Sequence, residues 1–251
     1  GLVHRAVPKE RLRAAVQALL VTVFGGLSML LGFVLVGESA GTYRIAEIVA
    51  APPTGGAVTA GIVLILLGAL TKSAQAPFHP WLPAAMAAPT PVSGYLHAAS
   101  MVKAGVFLVA RLSPAFAACA EWWLPLVVLG LATMLIGGWR ALGATDLKRL
   151  LAFGTVSQLG FLMVLFAVGG RLAAVAGAAL LLAHGLFKAT LFLVVGTVDK
   201  VTGTRECGSL SGLGRAMPGL AAASVLAAAS MAGIPPLLGF YAKYYVILAA
   251  I

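Results

Sequence analysis

Acidic side chains are scarce in this sequence. Its 251 residues carry 7 Asp and Glu against 17 Lys and Arg, and only 10% of the chain is charged, where soluble domains carry about 25%. That shortage excludes a water-soluble globule. Cysteine is limited to Cys119 and Cys207, which fall in loops on opposite membrane faces, so neither a disulfide nor a thiolate metal site is expected. No H-E-x-x-H, G-x-x-x-x-G-K-[ST] or clustered Cys/His set occurs, so metal and cofactor chemistry have no foothold. A net charge of +10 would point a soluble chain toward nucleic acid. Here the positions of the charges exclude that partner.

What the sequence has in abundance is apolar length: 61% of residues are hydrophobic and the mean hydropathy is +1.03. Apolar runs of about 20 residues recur from end to end, each long enough to cross roughly 30 Å of hydrocarbon as a helix. They predict an all-α, polytopic transmembrane bundle with about seven spans, near residues 14–37, 57–76, 91–112, 123–142, 150–168, 172–198 and 218–251. No signal peptide is recognisable, because the run after Arg11 and Arg13 is too long for one. With no initial Met and an apolar last residue, the chain reads as a single transmembrane domain, 1–251, cut from a longer protein at both ends.

Two spans are expected to be discontinuous. Pro77, Pro80, Pro83, Pro89 and Pro91 crowd the junction after the second, and Pro235-Pro236 interrupts the last; each Pro removes a backbone donor and clashes with the preceding turn. Broken helices survive in lipid where neighbours or a water-lined cavity satisfy the freed carbonyls, and a pair of them in corresponding halves marks a transport site. The match Gly37-Glu38-Ser39-Ala40-Gly41 to a nucleophile elbow lacks the strand that motif needs before it. Alanine-rich stretches around residues 84–88 and 221–223 serve close helix packing.

Loop charge sets the orientation. With a cytoplasmic N-terminus, the loops holding Arg5 to Arg13, Arg140 to Arg149 and Asp199 to Arg215 sum to +6, and the opposite loops sum to zero, in accord with the positive-inside rule. Lys148 is counted among these loop charges. The remaining +4 is Lys72, Lys103, Lys188 and Lys243, all inside apolar spans, while every acid sits in a loop. A charge at the bilayer centre costs about 2.5 to 3.5 kcal/mol on insertion scales, and desolvation favours the neutral amine, which suits a group that takes up and releases a proton. Snorkelling to the headgroups is the plain alternative. It suits Lys72, five residues before Pro77, better than the mid-span Lys103 and Lys188.

Polar neighbours extend the pattern. His184 and Lys188 are four apart and share a helix face. His97 opens the span of Lys103, Gln75 follows Lys72 by three, and Ser157 and Gln158 interrupt an apolar span. Histidine suits relay work near neutral pH, and Gln75, Ser157 and Gln158 form a candidate polar path.

The stretch Thr71 to Arg111, with Asp146 to Gly160 and His184 to Gly196, resembles the proton-translocating antiporter-like subunits shared by respiratory complex I and multisubunit Na⁺/H⁺ antiporters. HAASMVKAG around Lys103 and the loop VDKVTGTRE at 198–206 are most similar to the A-type subunits of the Mrp-type antiporter branch. The resemblance implies an inverted-repeat antiporter-like fold, here partial. It also implies that Lys72 is the central lysine on the first broken helix, Lys103 and Lys188 are bridging lysines, Lys243 is the terminal lysine on the second, and His97 and His184 are connecting histidines. The family's glutamate partner for the first lysine belongs to a helix before Gly1. Tyr244 stands where an acid often follows the terminal lysine, and Leu180 where a second histidine often precedes His184.

These observations set an expectation of a cell-membrane transporter subunit, working beside other membrane subunits and moving protons against Na⁺ or another cation through a lysine, histidine and water relay. The first rival is a proton-pumping subunit of NADH:quinone oxidoreductase; with no redox ligand in the sequence, its redox engine would lie in other chains. The second is a non-conducting membrane scaffold.

Overall fold

The computed structural model describes residues 9–88, 90–95 and 101–250. Among them the chain is helical, with no strand beyond one isolated bridge between Asp146 and Glu206. The helices are α1 (Lys9–Ala40), α2 (Ile45–Ala50), α3 (Gly56–Lys72), α4 (Trp81–Ala84), α5 (Thr90–Gly94), α6 (Met101–Phe116), α7 (Ala120–Leu142), α8 (Leu147–Val168), α9 (Arg171–Thr202), α10 (Leu213–Ala216), α11 (Pro218–Ala232) and α12 (Leu238–Ala250). Four of them, α1, α7, α8 and α9, are long and apolar enough to cross a membrane unaided. The helices α3, α11 and α12 are shorter apolar pieces, as expected where a span is divided.

Helix α8 is the centre of the bundle, with 67% of its most apolar window buried against 22% for α1. It packs on α7, α6 and α9; α9 also carries α11 and α12, and α1 covers α3. Without a hydrophobic drive between helices in lipid, close backbone approach does the work. The α7–α8 seam shows it: a Cβ added at Gly137 would lie 2.6 Å from the Ser157 amide nitrogen, and one at Gly160 would lie 2.5 Å from the Gly130 carbonyl oxygen. Ser157 Oγ donates across that seam to the Met134 carbonyl (2.9 Å).

The first break begins earlier than its prolines. Helix α3 ends at Lys72, five residues before Pro77, and Ala74 adopts a positive φ of 48°. The apolar pattern runs on to Ala76, so it predicts four residues too many. What ends the helix is a set of competing donors. Gln75 N–H donates to Leu70 O (2.9 Å), the Gln75 side-chain amide to Ser73 O (2.9 Å), and Trp81 Nε1 to Thr71 O (3.0 Å). Ala76 N–H donates to Thr133 Oγ1 of α7 (2.8 Å), while Ser73 Oγ donates to Val102 O of α6 (2.7 Å) and accepts from Val106 N–H (3.1 Å). The backbone groups that helix termination frees are thus met by buried side chains, as an apolar medium requires.

The second break is built differently. Helix α11 stops at Ala232, and Gly233 follows at φ 87°, a left-handed geometry that costs glycine nothing. Gly233 and Ile234 both donate to Ala229 O (3.0 Å each). The Pro235-Pro236 pair therefore lies past the helix end, in the connector to α12. The nucleophile-elbow match is the end of α1, where Ser39 Oγ donates to Leu35 O (2.8 Å). Cys119 precedes α7 and Cys207 follows α9, at opposite ends of the antiparallel α7 to α9 bundle, and both are free thiols.

Gly137→Leu would force α7 and α8 apart. It should lower the folded fraction and the thermal midpoint, a cost of about 1 to 3 kcal/mol or more, whereas Gly26→Ala, inside α1 and with no atom within 4 Å of the added methyl, should lower neither. Thr133→Val would orphan the buried Ala76 N–H and should cost about 1 to 3 kcal/mol. Denaturation midpoints in detergent check both.

Candidate functional site

The lysines expected inside the membrane occupy four different settings. Lys72 ends α3 and is half-buried. Its position in the last turn puts an ammonium beside the negative end of the half-helix dipole. Lys103 on α6 is 8% exposed and donates from Nζ to the Leu181 carbonyl of α9 (3.0 Å). Lys188 on α9 is 1% exposed and donates to the Leu151 carbonyl of α8 (3.0 Å). Lys243 on α12 reaches back across the second break to Met231 O (2.9 Å) and Ala232 O (3.0 Å), the last carbonyls of α11.

These contacts form a sequence of helices joined by ammonium groups. The first break touches α6 at Val102 through Ser73, the next residue, Lys103, ties α6 to α9, and Lys188 ties α9 to α8. Leu181, His184 and Lys188 lie three and four apart on α9, on one face. His184 is fully buried and meets the Phe187 ring edge-on at 5.4 Å. The Leu151 oxygen that receives Lys188 also accepts from Thr155 Oγ1 (2.9 Å). Room for the ammonium comes from Gly154, where a Cβ would stand 2.9 Å from Lys188 Nζ. None of these partners is an acid. The ion pairs found, Arg44 with Glu47 and Arg205 with Asp146 and Asp199, lie at helix ends.

Lys103 lines a cavity of about 590 Å³, otherwise apolar, between α6 and α9. Gln75 is fully buried, with Oε1 finding no partner among the described residues. Gln158 is half-buried on α8, one turn from Gly154. Ser157 faces α7, its hydroxyl committed to Met134, so it does not join the lysines. His97 lies outside the described residues. No cluster of three metal-ligating side chains occurs among those described.

A fifth lysine, one that loop charge places in water, is buried as well. Lys148 is 2% exposed in the first turn of α8 and donates to the Ala88 carbonyl (2.9 Å), beside the first break. Its neighbours Asp146 and Arg149 hide it by composition; the signal that could have found it is its spacing of three and seven from Leu151 and Thr155, on the face of α8 that receives Lys188.

Residues 2–251 match the family described as NADH:quinone oxidoreductase/Mrp antiporter, transmembrane. The chain is 46% identical over 246 residues to the A/B subunit of a probable K⁺/H⁺ antiporter of Rhizobium meliloti, covering 96% of this chain and 24% of that protein. To the A-type subunit of the Na⁺/H⁺ antiporter of Alkalihalophilus pseudofirmus it is 45% identical over 246 residues, covering 91% and 31%. A chain of the Mrp complex from Dietzia sp. DQ12-45-1b superposes with a TM-score of 0.90 at 47% identity, over 97% of this chain and 27% of that one. A chain of an archaeal membrane-bound sulfane sulfur reductase shares the fold, with a TM-score of 0.88 at 24% identity, over 99% and 52%. The chain thus spans 24% and 31% of the length of these two curated relatives. It is an integral, multi-pass protein of the cell membrane, and both curated relatives are named as antiporter subunits. By sequence over nearly its whole length and by fold, this chain belongs to the NADH:quinone oxidoreductase/Mrp antiporter transmembrane family.

Proposed function

We propose that the protein containing this chain is one component of a multisubunit monovalent cation/proton antiporter, and that this part of it carries the proton. Protons pass along Lys72, Lys103, His184, Lys188 and Lys243, with water and His97 completing the links. Lys148 sits at the cytoplasmic end of α8 and feeds the same row. Relatives are named for K⁺ and for Na⁺, so the coupled ion is a monovalent cation, with Na⁺ the one named more often among them. Partner membrane subunits complete the path.

The observation that carries this reading is Lys188: a lysine 1% exposed, on a mid-bundle helix, that donates to one backbone carbonyl. An ammonium has three donors and no acceptor, and a single carbonyl with no carboxylate beside it does not fix this nitrogen as one half of a permanent ion pair. A permanently charged structural lysine would be expected to have an acid. Gly154 leaves the nitrogen space to move toward water or toward His184, one turn away.

A redox-driven pump subunit with the same row is the second reading, favoured by the family's inclusion of NADH:quinone oxidoreductase chains. In it the parent complex would be a translocating enzyme, with its electron carriers in other chains. The two differ in whether cation efflux persists without NADH oxidation.

In vesicles containing the full complex, Lys188→Ala should reduce proton-coupled cation transport at least about tenfold. Lys188→Arg should do the same, because guanidinium keeps its proton at any physiological pH. Assembly and subunit content should be unchanged. Normal transport in both variants would overturn the relay and favour a scaffold. Gly154→Val, which displaces the Lys188 nitrogen, should lower transport severalfold with the complex intact.

A further inference from the structure

On the face of the bundle that loop charge places in the cytoplasm, a recess of about 280 Å³ is walled by His79, Pro80, Pro83, Ala84, Arg140, Arg149 and Phe153. Its charged side chains are two guanidiniums, and no carboxylate lines it. Neither arginine forms a side-chain ion pair among the described residues. Arg140 is held over the Phe153 ring, 5.9 Å from its centroid, a cation–π contact that orients the fork without neutralising it. His79 contributes an imidazole whose Nδ1 is buried without a partner among the described residues. The acids nearby lie in an adjoining cleft that Arg140, Arg149 and Phe153 also line: Asp146, which is taken by Arg205 (3.3 Å) and by the α8 cap at Arg149 N–H (2.9 Å), and Glu206, which forms no ion pair with either arginine among the described residues.

A second observation says what approaches the recess. Val128, Leu131, Leu135, Trp139 and Leu142 are exposed at 54, 41, 67, 80 and 86%. At spacings of three and four they form one apolar stripe along α7 that ends beside Arg140. An exposed Trp at the end of a spanning helix marks the headgroup level. Acyl chains lying along this stripe would bring a phosphate to the two arginines, and guanidinium forks match phosphate oxygens bidentately.

We infer that this recess is an oxoanion site for the phosphate of an anionic phospholipid of the cytoplasmic leaflet, gripped by Arg140 and Arg149 with His79 as a further donor. A soluble phosphate ion offers the same chemistry; the stripe on α7 favours the lipid. Because Pro80 to Ala84 follow the first break and α4 packs on α8, the bound headgroup braces that segment against α7 and α8. The inference rests on the recess and not on the transport reading.

The test is native mass spectrometry of the purified full-length protein with added phosphatidylglycerol or phosphatidylcholine. Wild type should retain phosphatidylglycerol selectively, and R140Q/R149Q should reduce that retention at least about tenfold. Ala84→Glu, which puts a carboxylate into the recess with both arginines present, should do likewise, and Arg171→Gln on the opposite face should not. Equal retention by wild type and both recess variants, or no preference over phosphatidylcholine, overturns the lipid site. If millimolar inorganic phosphate raises the thermal midpoint of the delipidated wild type but not of the double variant, without lipid selectivity, the occupant is a soluble ion and the lipid assignment fails.

Discussion

Ammonium groups in this bundle are received by backbone oxygens of neighbouring helices, and much of the surrounding architecture follows from that constraint. A cation in hydrocarbon must be paired, hydrated or neutralised, and among the described residues the acids stand at helix ends and form no ion pair with Lys103, Lys188 or Lys243. A helix carbonyl can accept a second donor besides its own N–H, but only if no side chain shields it. Hence Gly154 lies where Lys188 arrives, and Lys243 lands on the two carbonyls that the end of α11 leaves without intrahelical donors.

The two interrupted spans solve the same problem with different chemistry. At the first, serine, glutamine, threonine and tryptophan side chains take over the backbone groups that the helix gives up, and the lysine is the last residue of the half-helix itself. At the second, a left-handed glycine closes the turn and the lysine comes from the far side of the gap. The first design is rigid and cross-linked to α6 and α7. The second leans on α9 and is closed by Lys243 together with the Gly239 N–H, which donates to Ser230 Oγ (3.3 Å).

Much of this was legible in the sequence, for physical reasons. Apolar length announced the spans, and a lysine within an apolar run stood out by its position alone. The limits were equally physical. Proline clusters marked the neighbourhood of each break, but the helices end at Lys72 and Ala232 because of local donors and a glycine, which hydropathy does not register. Lys148 sits among Asp146, Arg149 and a turn, so its composition reads as loop, yet helix α8 turns it inward. Ser157, polar in an apolar span, holds two helices together instead of meeting a lysine. Hydropathy counts residues along a line, whereas burial depends on which side of the helix each one occupies.

The bond from Lys103 to the Leu181 carbonyl joins α6 to α9 through a single hydrogen-bonding group. A charged donor grips a carbonyl about twice as strongly as a neutral one. In the proposed relay, loss of one proton at that nitrogen would loosen a strut as well as erase a charge, and the spacing of the two helices would report protonation mechanically. Tension across α6 and α9 would in turn bias how readily the nitrogen gives its proton up.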